Sequence, residues 1–543
     1  MSRHSLELQD GVASNQNRND APEDVELQSE LKGNVLYAKQ ATVVEHSMTL
    51  WQALKWYRKA VFWSFLYSLL IIMEGYDTAF MGSLYAQTSF TKHFGEPAGS
   101  GTYQIPAKWQ TALAVTGNIG CMIGVFLDGY LTHFLGHRRL VLLSLVLLSG
   151  LIFINFFAKS LAMILGGRLL MSIPFGVFST TPTTYASEVC PVILRGYSTV
   201  YICLCWVIGQ FISAGVTDGV NGITSTWAYK ICFAVQWVWP LPLFIGVYFS
   251  PESPWWLVRR GKYEEAKRSI HRLSKDQDIN AHEVIAMMIR TDQLESAIEK
   301  GTYWDCFKGT DLRRTEIACM TWAVQALCGS AIQGYTTYFF EVAGLPESTA
   351  FKMNLGNNAL TFVGTALAWV LISYFGRRQI FLWGCVFLTI ILFVIGFVAL
   401  APSTNGAAKW AESILVMIQL FVYAPSAGAT TYPIVGEVGA VRLRSQTVCL
   451  ARNTYNLLEI VIGIITPYML NPTAGNWKGR IGFFWGVSCF LCTVWTYYRL
   501  PETGGRTYEE LDILFQHGVS ARKFSTTIVD AYAEDGNEIV KSE

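Results

Sequence analysis

The chain has 543 residues, of which 52% are hydrophobic and only 15% charged, with 18 Trp and 32 Phe. Soluble proteins carry about 25% charged residues, so this composition argues against a soluble protein and for lipid as the solvent. A net charge of +1 supplies no reason to expect nucleic acid as a partner.

Residues 1–57 are polar, with Asn, Gln, Asp and Glu gathered between Asp10 and Glu30. They read as a disordered tail and not as a secretory signal. Twelve apolar runs follow, at about 61–85, 109–131, 139–157, 161–185, 197–217, 229–249, 315–340, 355–374, 379–401, 411–434, 447–470 and 481–499. Each is long enough to cross the hydrocarbon core as a helix, which takes ~20 residues. The polar segment 251–314, rich in Lys, Arg and Glu from Arg259 to Arg268, divides the runs six and six. We therefore expect an all-α membrane protein of twelve transmembrane helices. A disordered tail (1–57), a six-helix bundle (58–250), a linker with short surface helices (251–314), a second six-helix bundle (315–500) and a C-terminal tail (501–543) should follow one another.

His137-Arg138-Arg139, Arg195, the Arg259–Arg272 cluster, Arg377-Arg378 and Arg442/Arg444 all follow even-numbered spans. The positive-inside rule then assigns both termini to the cytosol, with the plasma membrane as the expected address. The two halves also repeat. Gly136-His137-Arg138-Arg139 after span 2 matches Gly376-Arg377-Arg378 after span 8. Glu188-Val189 with Leu194-Arg195-Gly196 matches Glu437-Val438 with Leu443-Arg444-Ser445, and Pro251-Glu252-Ser253 matches Pro501-Glu502-Thr503. Parallel repeats imply two bundles that enclose a central site and rock about it.

Span 1 carries two acids, Glu74 and Asp77. Carboxylates at bilayer depth are costly and mark function by default, and a spacing of three puts both on one helix face. Arg168 in span 4 is a permanent cation that requires an anion nearby. Eleven of the twelve cysteines fall in or beside apolar runs without metal-ligand spacing, so free thiols are expected, with no metal and no cofactor. The glycines from Gly117 to Gly124 are followed by no Gly-Lys-Ser/Thr and suit close helix packing better than phosphate binding. No Ser-His-Asp set stands out, and an enzyme is not expected.

Pro251-Glu252-Ser253-Pro254-Trp255-Trp256-Leu257, Pro501-Glu502-Thr503-Gly504-Gly505-Arg506-Thr507, Gly167-Arg168 and Glu188…Arg195-Gly196 resemble the sugar porter family of the major facilitator superfamily. The resemblance covers roughly residues 60–515. Within that family, Gly334-Tyr335-Thr336-Thr337-Tyr338-Phe339-Phe340 and Ala451-Arg452-Asn453-Thr454-Tyr455-Asn456 are similar to fungal α-glucoside (maltose-type) permeases. The resemblance implies the major facilitator fold and sugar transport by alternating access. It makes Asp77 the proton-coupling acid, with Arg168 as its partner and Glu74 as an additional acid. Arg452 is then a counter-charge for Glu74 or for Glu459.

The chain departs from the family pattern at Thr132, His133, Ala326, Ala331 and Tyr432, and the changes at sugar-contacting positions suit a ligand other than a simple hexose. Sugar hydroxyls both donate and accept, so amides and aromatic rings on inward faces are the expected contacts. The substrate-facing set is Gln210, Gln325, Gln333, Tyr335, Asn358, Tyr432, Arg452, Tyr455 and Asn456, although the same amides also serve as interhelical ties. Glu188, Arg195, Glu437 and Arg444 are the expected gate, at the cytosolic ends of spans 4 and 10. The reading is a proton-coupled importer of α-glucosides such as maltose, with sugar, proton and bilayer as partners. A facilitator, a porter of another sugar, polyol or glycoside, and a non-transporting sugar sensor stay open as alternatives. The sequence is silent on oligomeric state.

Overall fold

The computed structural model describes residues 49–97, 103–274, 281–282, 284–286, 288–289, 303–401, 406–440, 443–471, 475–504, 506, 508–529 and 539–541. The disordered tail expected over 1–57 falls mostly outside these residues. Its end is a helix, Leu50–Trp56, which corrects the expectation there. Thr49 and Gln52 form a reciprocal capping box that satisfies the first free N–H groups of that helix.

Apart from short two-stranded ribbons such as Glu96–Pro97 against Tyr103–Gln104, the described chain is helical. Ten stretches are long and apolar enough to cross a membrane. These are span 2 (Ala107–Leu135), span 3 (His137–Phe156), span 4 (Leu161–Val189), span 5 (Val192–Val220) and span 6 (Trp227–Val235 through Pro240–Phe249). In the second half they are span 8 (Glu347–Tyr374), span 9 (Arg377–Val398), span 10 (Gly406–Tyr423 through Ala429–Val438), span 11 (Arg444–Leu470) and span 12 (Ile481–Arg499).

The remaining two spans are broken helices. Span 1 joins Arg58–Ser68 to Leu70–Leu84. Span 7 runs from Gly309–Gln325 through a π-type turn, Ala326–Ser330, to Ala331–Gly334 and Thr336–Ala343. Gly329 takes φ +87° in that turn, a value open to glycine at little cost. Span 7 begins at Gly309, ahead of the expected 315, so the helix carries a polar first part in which Arg314 pairs with Asp512 of the C-terminal segment at 2.5 Å.

The repeated motifs prove to be helix caps. Glu252 accepts from the backbone N–H groups of His137 (3.1 Å) and Arg138 (3.2 Å) at the start of span 3. Glu502 does the same for Arg377 (2.9 Å) and Arg378 (3.1 Å) at the start of span 9. A carboxylate at a helix N-terminus meets both unpaired donors and the positive end of the helix dipole. A Cβ at Gly136 would lie 2.6 Å from Glu252, and one at Gly376 only 2.1 Å from Glu502. The glycine before each basic pair thus leaves room for its cap. Burial pushes the Glu252 carboxyl above its ordinary value, while His137 and the N–H groups of Ser253 and Arg138 pull it down.

Spans 1 and 5 interlock backbone to backbone, since a Cβ at Gly75 would sit 2.2 Å from the Trp206 carbonyl oxygen. Between the halves, span 5 packs along span 8 and span 2 along span 11. These pairings leave a central space walled by spans 1, 2, 4, 5, 7, 8, 10 and 11.

Candidate functional site

A cavity of about 220 Å³ lies in that space. Glu74, Asp77, Arg168, Gln210, Gln325, Gln333, Tyr335, Tyr432, Arg452, Tyr455 and Asn456 all line it. Asn358 does not: it is buried in span 8, and its amide donates to the Asn354 carbonyl (2.9 Å) and Oδ1 (3.1 Å). The same face of span 8 presents Thr361 and Thr365 to the cavity instead.

Two ion pairs face the cavity. Arg168 Nη1 lies 3.3 Å from Asp77 Oδ2, with side chains 12% and 8% exposed. Arg452 Nη2 lies 3.7 Å from Glu74 Oε1, with side chains 16% and 14% exposed. Charges so far from bulk water persist when paired, and each arginine has an anion in reach. The two pairs differ in what they join. Asp77 and Arg168 belong to spans 1 and 4 of the same half, whereas Glu74 and Arg452 connect span 1 to span 11 of the other half. Gln236 Nε2 donates to Asp77 Oδ1 at 3.0 Å, so both Asp77 oxygens are engaged. The Arg452 guanidinium also stacks 4.7 Å from the Trp322 ring centroid and 5.0 Å from that of Tyr455, a cation–π setting that fixes its plane.

The amides are partly tied to protein. Gln333 Nε2 donates to Gln210 Oε1 at 3.0 Å across the two halves. Gln325 Nε2 donates to the Gly428 carbonyl at 2.9 Å. That acceptor belongs to the π-type turn Ala424–Gly428 of span 10, where wide turns leave carbonyls in need of donors. Asn456 Nδ2 and Arg168 Nε are buried and, among the described residues, without a hydrogen-bond partner. Buried donors in that condition are uncommon, and here they line a space that a polyhydroxyl ligand can occupy. Tyr335 stacks on Tyr85 at 6.1 Å, and Tyr432 meets Trp322 edge-on at 5.0 Å.

The halves touch at both ends of the cavity. At the end away from the Arg-rich loops, Thr88 donates to Glu347 through N (3.2 Å) and Oγ1 (2.5 Å), and Ser83 and Thr337 hydroxyls lie 3.2 Å apart. A Cβ at Gly82 would lie 1.9 Å from the Gly334 carbonyl oxygen there. At the opposite end Tyr201 stacks on Trp369 at 6.5 Å.

Of the expected gate, Glu188 lies 3.2 Å from His137 Nε2 and 3.8 Å from Arg259 Nη1, and the Ser253 hydroxyl donates to it. Glu437 lies 3.3 Å from Arg377 Nη2 and accepts from Thr503 Oγ1 at 2.5 Å. The side chains of Arg195 and Arg444 lie outside the described residues.

Sequence reasoning passed over Gln236, Tyr85 and Trp322, and read His137 only as part of a basic loop motif. Gln236 left a signal, a lone amide inside the apolar run 229–249. Trp322 stands one turn before Gln325 and shares its face. The contacts of Tyr85 with Tyr335 and of His137 with Glu188 are made across helices, and no spacing within one helix announces them.

A family model described as "Sugar (and other) transporter" matches residues 63–515. The general alpha-glucoside permease of Saccharomyces cerevisiae is 41% identical over 507 residues, covering 92% of this chain and 82% of its own. Maltose permease MAL31 of the same yeast is 39% identical, covering 91% and 82%. Among solved structures, the proton:xylose symporter XylE bound to 6-bromo-6-deoxy-D-glucose superposes with a TM-score of 0.68 at 20% identity, covering 84% of this chain and 98% of that one. The inward open conformation of XylE from E. coli gives 0.64 at 19% identity, over 84% and 98%. These likenesses establish twelve spans in two six-helix bundles, the major facilitator fold. Together with the family match over most of its length, they make this chain a multi-pass membrane protein that belongs to the sugar transporter family.

Proposed function

We propose that this chain imports α-glucosides such as maltose together with protons across the plasma membrane, with both termini in the cytosol. The observation that carries the reading is the cavity itself, in which an acid with a dedicated arginine, Asp77 and Arg168 at 3.3 Å, stands beside a ring of amides and aromatics. Relatives 39–41% identical that are named α-glucoside and maltose permeases support the substrate class. The Arg-rich loops at one end of the fold support the orientation.

In the proposed cycle Asp77 takes a proton at the outer face, which frees Arg168, and sugar binds between the bundles. Rocking exposes both to the cytosol, and loss of the proton restores the pair. Protonation thus biases one conformation over another, as coupling requires. A membrane potential of ~100 mV contributes ~2.3 kcal/mol per proton, and one pH unit about 1.4 kcal/mol more. Ideal one-to-one coupling then sustains roughly 500-fold accumulation. Uptake of radiolabelled maltose, challenged with glucose, sucrose, trehalose and cellobiose while external pH is recorded, tests the reading. Competition by α-glucosides with concurrent alkalinisation is expected. Uptake of maltose without proton movement, or none at all, would overturn it.

A further inference from the structure

A second, larger hollow of about 760 Å³ lies far from the sugar cavity, lined by Arg58, Lys59, Phe62, Trp63, His271 and Arg272. It forms where three elements meet: the first turns of span 1, the end of span 6, and the surface helix Tyr263–Leu273 of the linker. That helix buries Tyr263, Ala266, Ile270 and Leu273 against the protein. Its last turn therefore delivers His271 and Arg272 beside Arg58 and Lys59. The Arg272 guanidinium donates to the Phe249 carbonyl at the end of span 6, which fixes it at the rim. Arg58, Lys59 and Arg272 carry three positive charges, and among the described residues none of them has a carboxylate partner.

The hollow also borders exposed apolar surface. Phe62 is 59% exposed and Phe249 61% exposed. Large apolar side chains exposed on a transmembrane helix face acyl chains, and Trp63 beside them suits the interfacial belt. One wall is therefore cationic and the other is made for hydrocarbon. A free anion would use only the first wall, whereas a phospholipid would use both.

We propose that this hollow binds the phosphorylated headgroup of an anionic phospholipid from the leaflet on the side of the Arg-rich loops. Basic pockets beside transmembrane helices on that side attract such headgroups, each basic residue adding close to a fivefold preference. The site is independent of the sugar cavity and of its proposed role.

The test is native mass spectrometry of the full chain, purified and exposed to equal amounts of dioleoyl phosphatidylserine and dioleoyl phosphatidylcholine. Wild type should retain the serine lipid in preference, and Arg58→Gln/Lys59→Gln should lower that ratio by about 25-fold. Lys59→Gln alone, at an exposed position, should lower it by about fivefold and serves if the double variant fails to fold. Water-soluble glycerophosphoserine and inorganic phosphate at the same concentration should not displace the lipid. Retention without headgroup preference in wild type, an unchanged ratio in both variants, or displacement by either soluble anion would overturn the proposal.

Discussion

Glu74 of span 1 and Arg452 of span 11 face each other at 3.7 Å across the interface between the two halves, so this pair cannot survive a large separation of the bundles at that level. The Asp77–Arg168 pair, at 3.3 Å within one half, can open and close by protonation alone. One pair reports on the relative position of the halves, and the other is suited to hold the proton.

This division predicts different consequences of truncation. Removing one member of a buried pair leaves an uncompensated charge, whereas removing both does not. Arg452→Gln should lower the unfolding free energy of the purified protein by about 3–5 kcal/mol, and adding Glu74→Gln should recover most of that loss. Thermal unfolding of the three variants checks it; a double variant no more stable than Arg452→Gln would contradict the pairing.

Of the three glutamines expected to touch sugar, Gln210 and Gln325 should separate in their effects. Gln210 is bonded to another side chain, Gln333, so Gln210→Ala should raise the KM for maltose about fivefold with little change in Tm. Gln325 also satisfies the Gly428 carbonyl, so Gln325→Ala should raise KM and lower Tm together. Parallel transport kinetics and unfolding measurements distinguish them, and an unchanged KM removes the residue concerned from the sugar site.

Gly82 lets spans 1 and 7 touch at the end away from the Arg-rich loops, where its Cβ would collide with the Gly334 carbonyl. Gly82→Val should hold that end open. A cysteine introduced as Thr337→Cys, beside Ser83 in the closed contact, should then react with an impermeant maleimide roughly tenfold faster. Equal labelling rates with and without the Gly82→Val substitution would show that the contact does not govern closure.

The two halves also differ at one matched position: His137 faces Glu188 where Arg377 faces Glu437. Glu252 and Asp128 also face His137, the Tyr185 ring lies 6.2 Å away, and Arg259 shares Glu188. Arginine keeps its charge at every physiological pH, while histidine changes charge within that range. The His137–Glu188 ion pair exists only while the imidazole carries its proton, so raising the pH on the side of the Arg-rich loops should weaken it. In proteoliposomes, transport should depend on internal pH, and His137→Arg should flatten that dependence. An unaltered internal-pH profile in the variant would contradict the role.

Much of this was legible in the chain because bilayer thickness imposes a length on every apolar run. All twelve spans appear near their expected positions, and the Asp77–Arg168 pair was anticipated through the family resemblance. The breaks in spans 1 and 7 were not legible. Leu69 is an ordinary residue, and the turn at Gly329 is set by contacts with spans 9, 10 and 12. Asn358 was misplaced because a polar residue in an apolar helix can satisfy itself on its own backbone one turn away. The pairing of Glu74 with Arg452 and the bond from Gln236 to Asp77 depend on which helices become neighbours, and no spacing within a single helix encodes that.

In the proposed cycle the Asp77 carboxylate, released from and returned to Arg168, couples sugar to protons. The most direct test of that coupling is Asp77→Asn in proteoliposomes under an imposed proton gradient, comparing net accumulation with exchange of labelled for unlabelled maltose. Wild type should concentrate maltose well above the external level, while the variant should exchange it yet never exceed that level. Accumulation by Asp77→Asn equal to wild type would contradict it.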